Sequence, residues 1–310
     1  MASRTVLSRG SSEGLGLPVK ATHSLLSSSS SNNNISSNIS SSGNINMTPA
    51  VYLQRLLDVS QMDIQSALDQ MKSLLLPSKM NSVYKMAYYR KQTKDHWARD
   101  DPAFVAIQIA MLLVASLAYA IAFRSDSLFT NFIYFAIHSV AINYALFGLI
   151  VASVARFIAN SHLNQTNSAS SANANANTNS ANANTAMPEK RSYYAQQSVE
   201  FMYAFDVHCN AFFFLFVCAY GIQFFLLPVV LGKGFVSFLL SNMLYSIGFF
   251  GYFYITHLGY RALPFLYNTE VFLFPLALVV FIFVLNLVGY PFGFGWNASR
   301  IMAHLYFESG

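Results

Sequence analysis

Charge is scarce in this chain, at 10% Asp, Glu, Lys and Arg beside 54% hydrophobic residues, where a soluble globular domain carries roughly 25% charged residues. That excludes an ordinary cytosolic protein. Between residues 201 and 299 the charged side chains are Asp206, Lys233, Arg261 and Glu270 alone, each set between long apolar runs. Cysteine is scarce too. Cys209 and Cys218 lie nine apart in one apolar run, with no CxxC pair and no Cys/His spacing suited to zinc, so neither a disulfide nor a metal site is expected. A long basic block is also missing, and the net charge of +5 is explained more simply by membrane orientation than by nucleic-acid binding. Finally, no apolar h-region follows the basic, Ser-containing opening MASRTVLSRG, so a cleaved signal is not expected.

What is present divides the 310 residues into alternating polar and apolar tracts. Residues 1–49 are dominated by Ser and Asn with few large apolar side chains, too few to offset the entropy of ordering, and read as a disordered arm. Over residues 50–77, apolar positions including Leu53, Leu57, Ile64, Leu68, Met71 and Leu75 recur at helical spacing and end at Pro77, which predicts an amphipathic helix on the membrane or the bundle. A basic segment, 78–102, follows. Five runs then reach the ~20 apolar residues needed to cross hydrocarbon. They lie near 103–123, 132–155, 208–230, 235–258 and 271–290. Spans one and two thus fall within 103–158 and spans three to five within 197–292, with a short tail at 293–310. Asp101 and Pro102 suit the N-cap and first position of span one. Gly232, Lys233 and Gly234 make so short a link that spans three and four must be antiparallel neighbours. Residues 159–196, containing NANANTNSANAN, read as a flexible insertion. The fold class expected is an all-α integral membrane bundle of five spans with an amphipathic N-terminal helix.

Orientation follows from the flanking cations. Lys79, Lys85, Arg90, Lys91, Lys94, Arg99, Arg156, Lys190, Arg191 and Arg261 stand on one side, and Arg124, Lys233 and Arg300 on the other. Ten against three places the N-terminus in the cytosol and, after five spans, the C-terminus in the lumen. The sequon at Asn297 would then be the lumenal one, close to the last span, while those at Asn34, Asn38, Asn46 and Asn164 face the cytosol.

Ionisable groups beside spans are functional candidates, because leaving them there is costly unless they are paired or hydrated. A catalytic or transport reading would gather Glu200, Asp206, His208, His257 and Glu270 at the cytosolic mouth. Its weakness is geometric, since Asp206 and His208 are two apart on a helix and point in opposite directions, unlike the i, i+4 pair that chelates an ion. Asp206 and Asn210 share a face, which suits a structural hydrogen bond, with Arg99 or Arg261 as the partner of Asp206. His138 and Asn143, within span two, read as interhelical hydrogen-bond partners. The densest polar stretch is YYRKQTKDHWARDDP at 88–102. There Arg90, Lys91, Lys94 and Arg99 could dock a cytosolic partner or acidic lipid heads with Trp97 as interfacial anchor, or could merely orient the first span.

The strings YRKQTKDHWARDDPAF at 89–104, YAFDVHCNAFF at 203–213 and GYRALPFLYNT at 259–269 resemble the signature stretches of the Unc-fifty (uncoordinated-fifty) family, and SQMD at 60–63 resembles a fourth. The match covers roughly 52–300 apart from the insertion. It implies a five-span Golgi protein of architecture akin to the Yip-type trafficking proteins, with no enzymatic activity, cofactor or metal. It implies a role in vesicle-mediated transport, in receptor delivery or retrograde traffic, and in recruiting an Arf guanine-nucleotide exchange factor. The motif residues that would form its docking face are Arg90, Lys91, Lys94, Asp95, Trp97, Arg99, Asp100, Asp101, Pro102, Asp206, His208, Asn210, Arg261, Pro264 and Asn268. Membrane lipids are the other expected partners. An inner nuclear membrane location and RNA binding, attributed to some members, are lesser expectations. RNA binding ranks last because neither a recognition fold nor a row of stacking aromatics is present.

Overall fold

The structure, a computed structural model, describes residues 62–123, 128–164 and 197–308. The expectations for the arm, for residues 50–61 and for nearly all of the insertion lie outside these residues. The described residues form helices and one isolated bridge, Asn164 to Leu266, without a strand. Among the described residues five helices are long and apolar enough to cross a membrane: α3 (Ala103–Ala122), α4 (Leu128–His162), α5 (Phe201–Phe225), α6 (Phe235–Arg261) and α7 (Thr269–Phe292). Two helices precede them, α1 (Ile64–Leu75) and α2 (Met80–Lys94), and a short helix, α8 (Ala298–Ala303), follows.

Within the described part of the 50–77 segment, α1 buries Ala67, Met71 and Leu74 along one face. It begins at Ile64, where Asp63 caps it by accepting a hydrogen bond from Ser66 N at 2.9 Å. The basic segment 78–102 holds a helix, α2, which its charge pattern does not reveal. In α2, Met80, Tyr84 and Ala87 are buried at helical spacing, a signal masked by the cations around them.

Lipid offers no hydrophobic drive for helices to associate, so close packing of small residues takes over. The central helix is α5, in which 67% of the apolar window is buried, against 11% for α7. Its neighbours meet it through glycine. A Cβ on Gly251 of α6 would stand 2.1 Å from the Phe214 ring, and one on Gly148 of α4 would stand 2.4 Å from His208 Nε2. Gly248 and Gly259 make similar approaches to Leu215 and Val207. Ala152, Ala155 and Ala159 continue the small-residue face of α4.

The third span departs from its expected limits, beginning at Phe201 rather than 208 and ending at Phe225. Asp206 and His208 looked like a boundary; both are enclosed by partners inside the helix, while a separate turn, Leu227–Val230, takes up Pro228. The second span runs from Leu128 to His162, longer at both ends than the apolar run suggested. The tail is not merely a loop. Asn297 caps α8 by accepting from Arg300 N at 3.0 Å, and Phe307 stacks on Phe123 with ring centroids 4.3 Å apart.

Candidate functional site

One end of the bundle carries α1, α2, the 95–102 loop, the start of α5 and the 259–269 loop. Asp95 closes α2 in the left-handed region at φ 58°, and the chain turns back there. Lys91 holds the turn, donating to Asp95 O at 2.7 Å and pairing with its carboxylate at 2.9 Å. Lys94 and His96 both bind Asp100, His96 at 2.6 Å. Burial pushes the Asp100 carboxyl up, yet the bonds and charges of Lys94 and His96 outweigh it and leave it below its ordinary value. Asp101 accepts from Ala103 N and from Asp63 N, each at 2.9 Å, so it satisfies the first N–H of α3 and ties α1 to it. The helix itself opens at Ala103, placing Pro102 at the cap position, one residue earlier in the helix than expected.

Arg99 is the hub. Its Nε donates to Asp206 Oδ1 at 2.8 Å and its Nη2 binds the same oxygen. Nη1 reaches Gln70 Oε1 at 2.6 Å, Nη2 reaches Asn210 Oδ1 at 3.2 Å, and the guanidinium lies 4.6 Å from the Phe104 ring centroid. Gln70 Nε2 donates to Asn210 Oδ1 at 2.7 Å, closing the loop. Arg90 stands 4.0 Å from the other Asp206 oxygen and donates to Trp97 O at 3.3 Å. The Asp206 carboxylate thus joins α2, the loop and α5, and Gln70 brings in α1 through Arg99 and Asn210. Asp206 and Asn210 share the expected face. Gln70 was missed, although its position three residues beyond Ala67 put it on the buried side of α1.

Trp97 is corrected. It is 2% exposed rather than an interfacial anchor, because Tyr88, Tyr203 and Phe265 surround its ring at centroid distances of 5.9–6.4 Å. Glu200 accepts from Trp97 N at 3.2 Å with both carboxylate oxygens, fixing the loop from the start of α5. Tyr203 OH donates to Gly259 O at 2.7 Å, and Tyr84 OH to Ile255 O at 3.2 Å. Burial raises the Tyr84 hydroxyl above its ordinary value, which keeps it a donor. In the 259–269 loop, Leu263 and Phe265 are buried, Pro264 is exposed, and Asn268 adopts φ 51°, a left-handed conformation that Asn tolerates. Tyr267 N donates to Leu163 O at 3.0 Å and ties this loop to the end of α4.

The residues of the catalytic reading do not converge. His208 sits on the opposite face of α5 from Asp206, bonded to Tyr252 OH at 2.8 Å and Tyr144 O at 3.2 Å. His257 meets Thr269 O at 3.0 Å, and Glu270 is exposed. Among the described residues no group of three His, Cys, Asp or Glu side chains could hold a metal. Deep in the bundle Asn143 donates to Tyr220 OH at 3.0 Å, the interhelical bond its position suggested.

The strings 89–104, 203–213 and 259–269 therefore make one structure, and a sequence model of the UNC-50 family matches residues 52–307, the span that contains all three. The chain belongs to the UNC-50 family. It is 37% identical over 257 residues to a protein named Protein unc-50 homolog from Dictyostelium discoideum, covering 83% of this chain and 86% of that one. It is 36% identical over 256 residues to Protein unc-50 homolog from Homo sapiens, covering 82% and 85%, and 35% identical over 257 residues to Protein unc-50 from Caenorhabditis elegans, covering 82% and 73%. No solved structure matches. As an UNC-50 family member the protein is a multi-pass membrane protein, and the segment joined through Asp206 is the part of it on which its motifs meet.

Proposed function

We propose that this protein is a non-enzymatic Golgi membrane protein of vesicle-mediated transport, whose N-terminal side faces the cytosol and docks an Arf guanine-nucleotide exchange factor in support of receptor or retrograde traffic. The observation that carries this reading is the convergence of three distant motif strings on one end of the bundle, tied by Arg99 and Asp206 and packed around Trp97. A bundle whose only task was to span the bilayer would not need that many polar bonds at one end. The bias of flanking cations toward the same end supports its being cytosolic. A surface held this rigidly is suited to a partner, because little order remains to be imposed on binding.

The structure divides the expected docking cations into two groups. Arg90 touches Asp206 and Trp97 O and belongs to the scaffold. Lys94 is paired at the surface, with its side chain 55% exposed, and Lys91 is paired beside it with Asp95. Because Lys91 also holds the turn at Asp95, replacing the exposed Lys94 by Ala is the cleaner test. We expect weaker recruitment of the exchange factor to Golgi membranes with unchanged targeting of the protein itself. Recruitment equal to that of the native chain would count against docking on this loop.

A further inference from the structure

Between α2 and the last turn of α6 runs a groove of about 530 Å³, walled by Asn81, Lys85, Tyr88, Tyr89 and Arg261 and floored by Leu258. Among the described residues most cations at this end are already occupied. Lys72 pairs with Asp69, Lys91 with Asp95, Lys94 with Asp100, Arg90 and Arg99 with Asp206, and Arg156 donates to Val199 O. Lys85 and Arg261 are different: neither has a carboxylate within 4.0 Å among the described residues, and both line the groove. Lys79 and Arg156 are also without a carboxylate but stand outside it, Arg156 donating to a backbone carbonyl instead.

The depth of the groove is set by α6, whose final residue is Arg261. It therefore opens where hydrocarbon gives way to headgroups. Tyr88 and Tyr89, 45% and 61% exposed, flank it with rings and hydroxyls suited to that interface. An apolar floor, aromatic walls and two uncompensated cations at headgroup depth are complementary to one class of ligand. We infer that this groove binds the headgroup of an anionic phospholipid, with Arg261 and Lys85 on its phosphate oxygens and Leu258 against the adjoining glycerol and chain carbons.

The inference extends the docking reading of this end, but it is tested on purified protein, whose binding does not depend on which compartment the end faces. The probes are dioctanoyl phosphatidylinositol phosphate and dioctanoyl phosphatidylcholine added to the full chain in neutral detergent, with bound lipid read by native mass spectrometry. The native protein should prefer the anionic lipid. That preference should fall roughly fivefold in K85Q or R261Q and roughly thirtyfold in the double variant, following the contribution of each basic group near an anionic headgroup. K91Q/K94Q should keep it. If K85Q/R261Q melts well below the native protein, Asn81→Trp, which narrows the groove and leaves both cations, takes its place and should also weaken binding. The proposal is overturned by equal binding of the two lipids, by an unchanged preference in K85Q/R261Q or in a stably folded Asn81→Trp, or by an equal loss in K91Q/K94Q. Displacement of the lipid by inorganic phosphate at the lipid's own concentration would overturn it too, as a site for free phosphate.

Discussion

Asp206 accepts from Arg99 and lies within reach of Arg90, inside a helix long enough to span the bilayer, and all three side chains are less than a quarter exposed. Removing Arg99 leaves that carboxylate with only the more distant Arg90, and the loss of compensation is the larger part of the cost. Arg99→Ala should therefore destabilise the detergent-solubilised protein by about 2–3 kcal/mol, and adding Asp206→Asn should recover part of that loss. A thermal melt of the single and double variants checks this. Melting of Arg99→Ala at the native midpoint would sink the structural role of the pair. Asp100 makes a pH-dependent contribution of known sign. Its carboxyl is held below its ordinary value by Lys94 and His96 against the effect of burial, so the folded loop binds the proton more weakly than the unfolded chain. Its stabilisation is then fully present above about pH 4 and is lost as the pH falls through the lower folded value. In a Trp296→Phe background, Trp97 emission should shift to the red on acidification below about pH 4, and Asp100→Asn should flatten that titration.

At the level of elements, glycine decides how close the helices come. Gly251 faces the Phe214 ring at a distance no Cβ can occupy, and the ring is held within the bundle rather than free at its end. Gly251→Ala should cost about 1–3 kcal/mol through displacement of α5 against α6. Gly234, which has nothing within 4 Å of a Cβ position, should tolerate alanine without loss. Thermal midpoints of the two variants in one detergent compare them directly, and equal midpoints would mean that the close approach carries no strain. The same packing explains why α5 is central and α7 is mostly left to lipid. The face of α4 toward α5 is built from Gly148, Ala152, Ala155 and Ala159, whereas α7 offers no such stripe and beyond Phe272 buries only Asn286.

At the scale of the whole molecule, the proposed topology can be read with single cysteines, because Cys209 and Cys218 are both buried. In sealed Golgi vesicles, Arg261→Cys should react with an impermeant maleimide, and Lys233→Cys should react only after permeabilisation. The reverse pattern would invert the orientation and move the docking face into the lumen. Five spans and a lopsided distribution of Lys and Arg were both legible from the amino-acid order. Hydrocarbon has no hydrogen bonds to give, so each crossing must be a self-satisfied apolar helix of about 20 residues, and such runs stand out without any knowledge of contacts. The Asp206–Asn210 face and the interhelical role of Asn143 were legible for a related reason, since helical period fixes which residues of one segment point the same way. The burial of Trp97, the part played by Gln70, and the division of the cations into those paired within the chain and those left facing the groove were not. These depend on partners such as Arg99 and Asp206, 107 residues apart. Local spacing carries no record of a neighbour at that separation, and a charge flanking a span looks the same in sequence whether it faces water or a carboxylate. The amino-acid order by itself determined five segments able to cross a membrane, with flanking charge gathered at one end; only the tertiary structure decided which of those charges are neutralised, because neutralisation is a matter of distance in space.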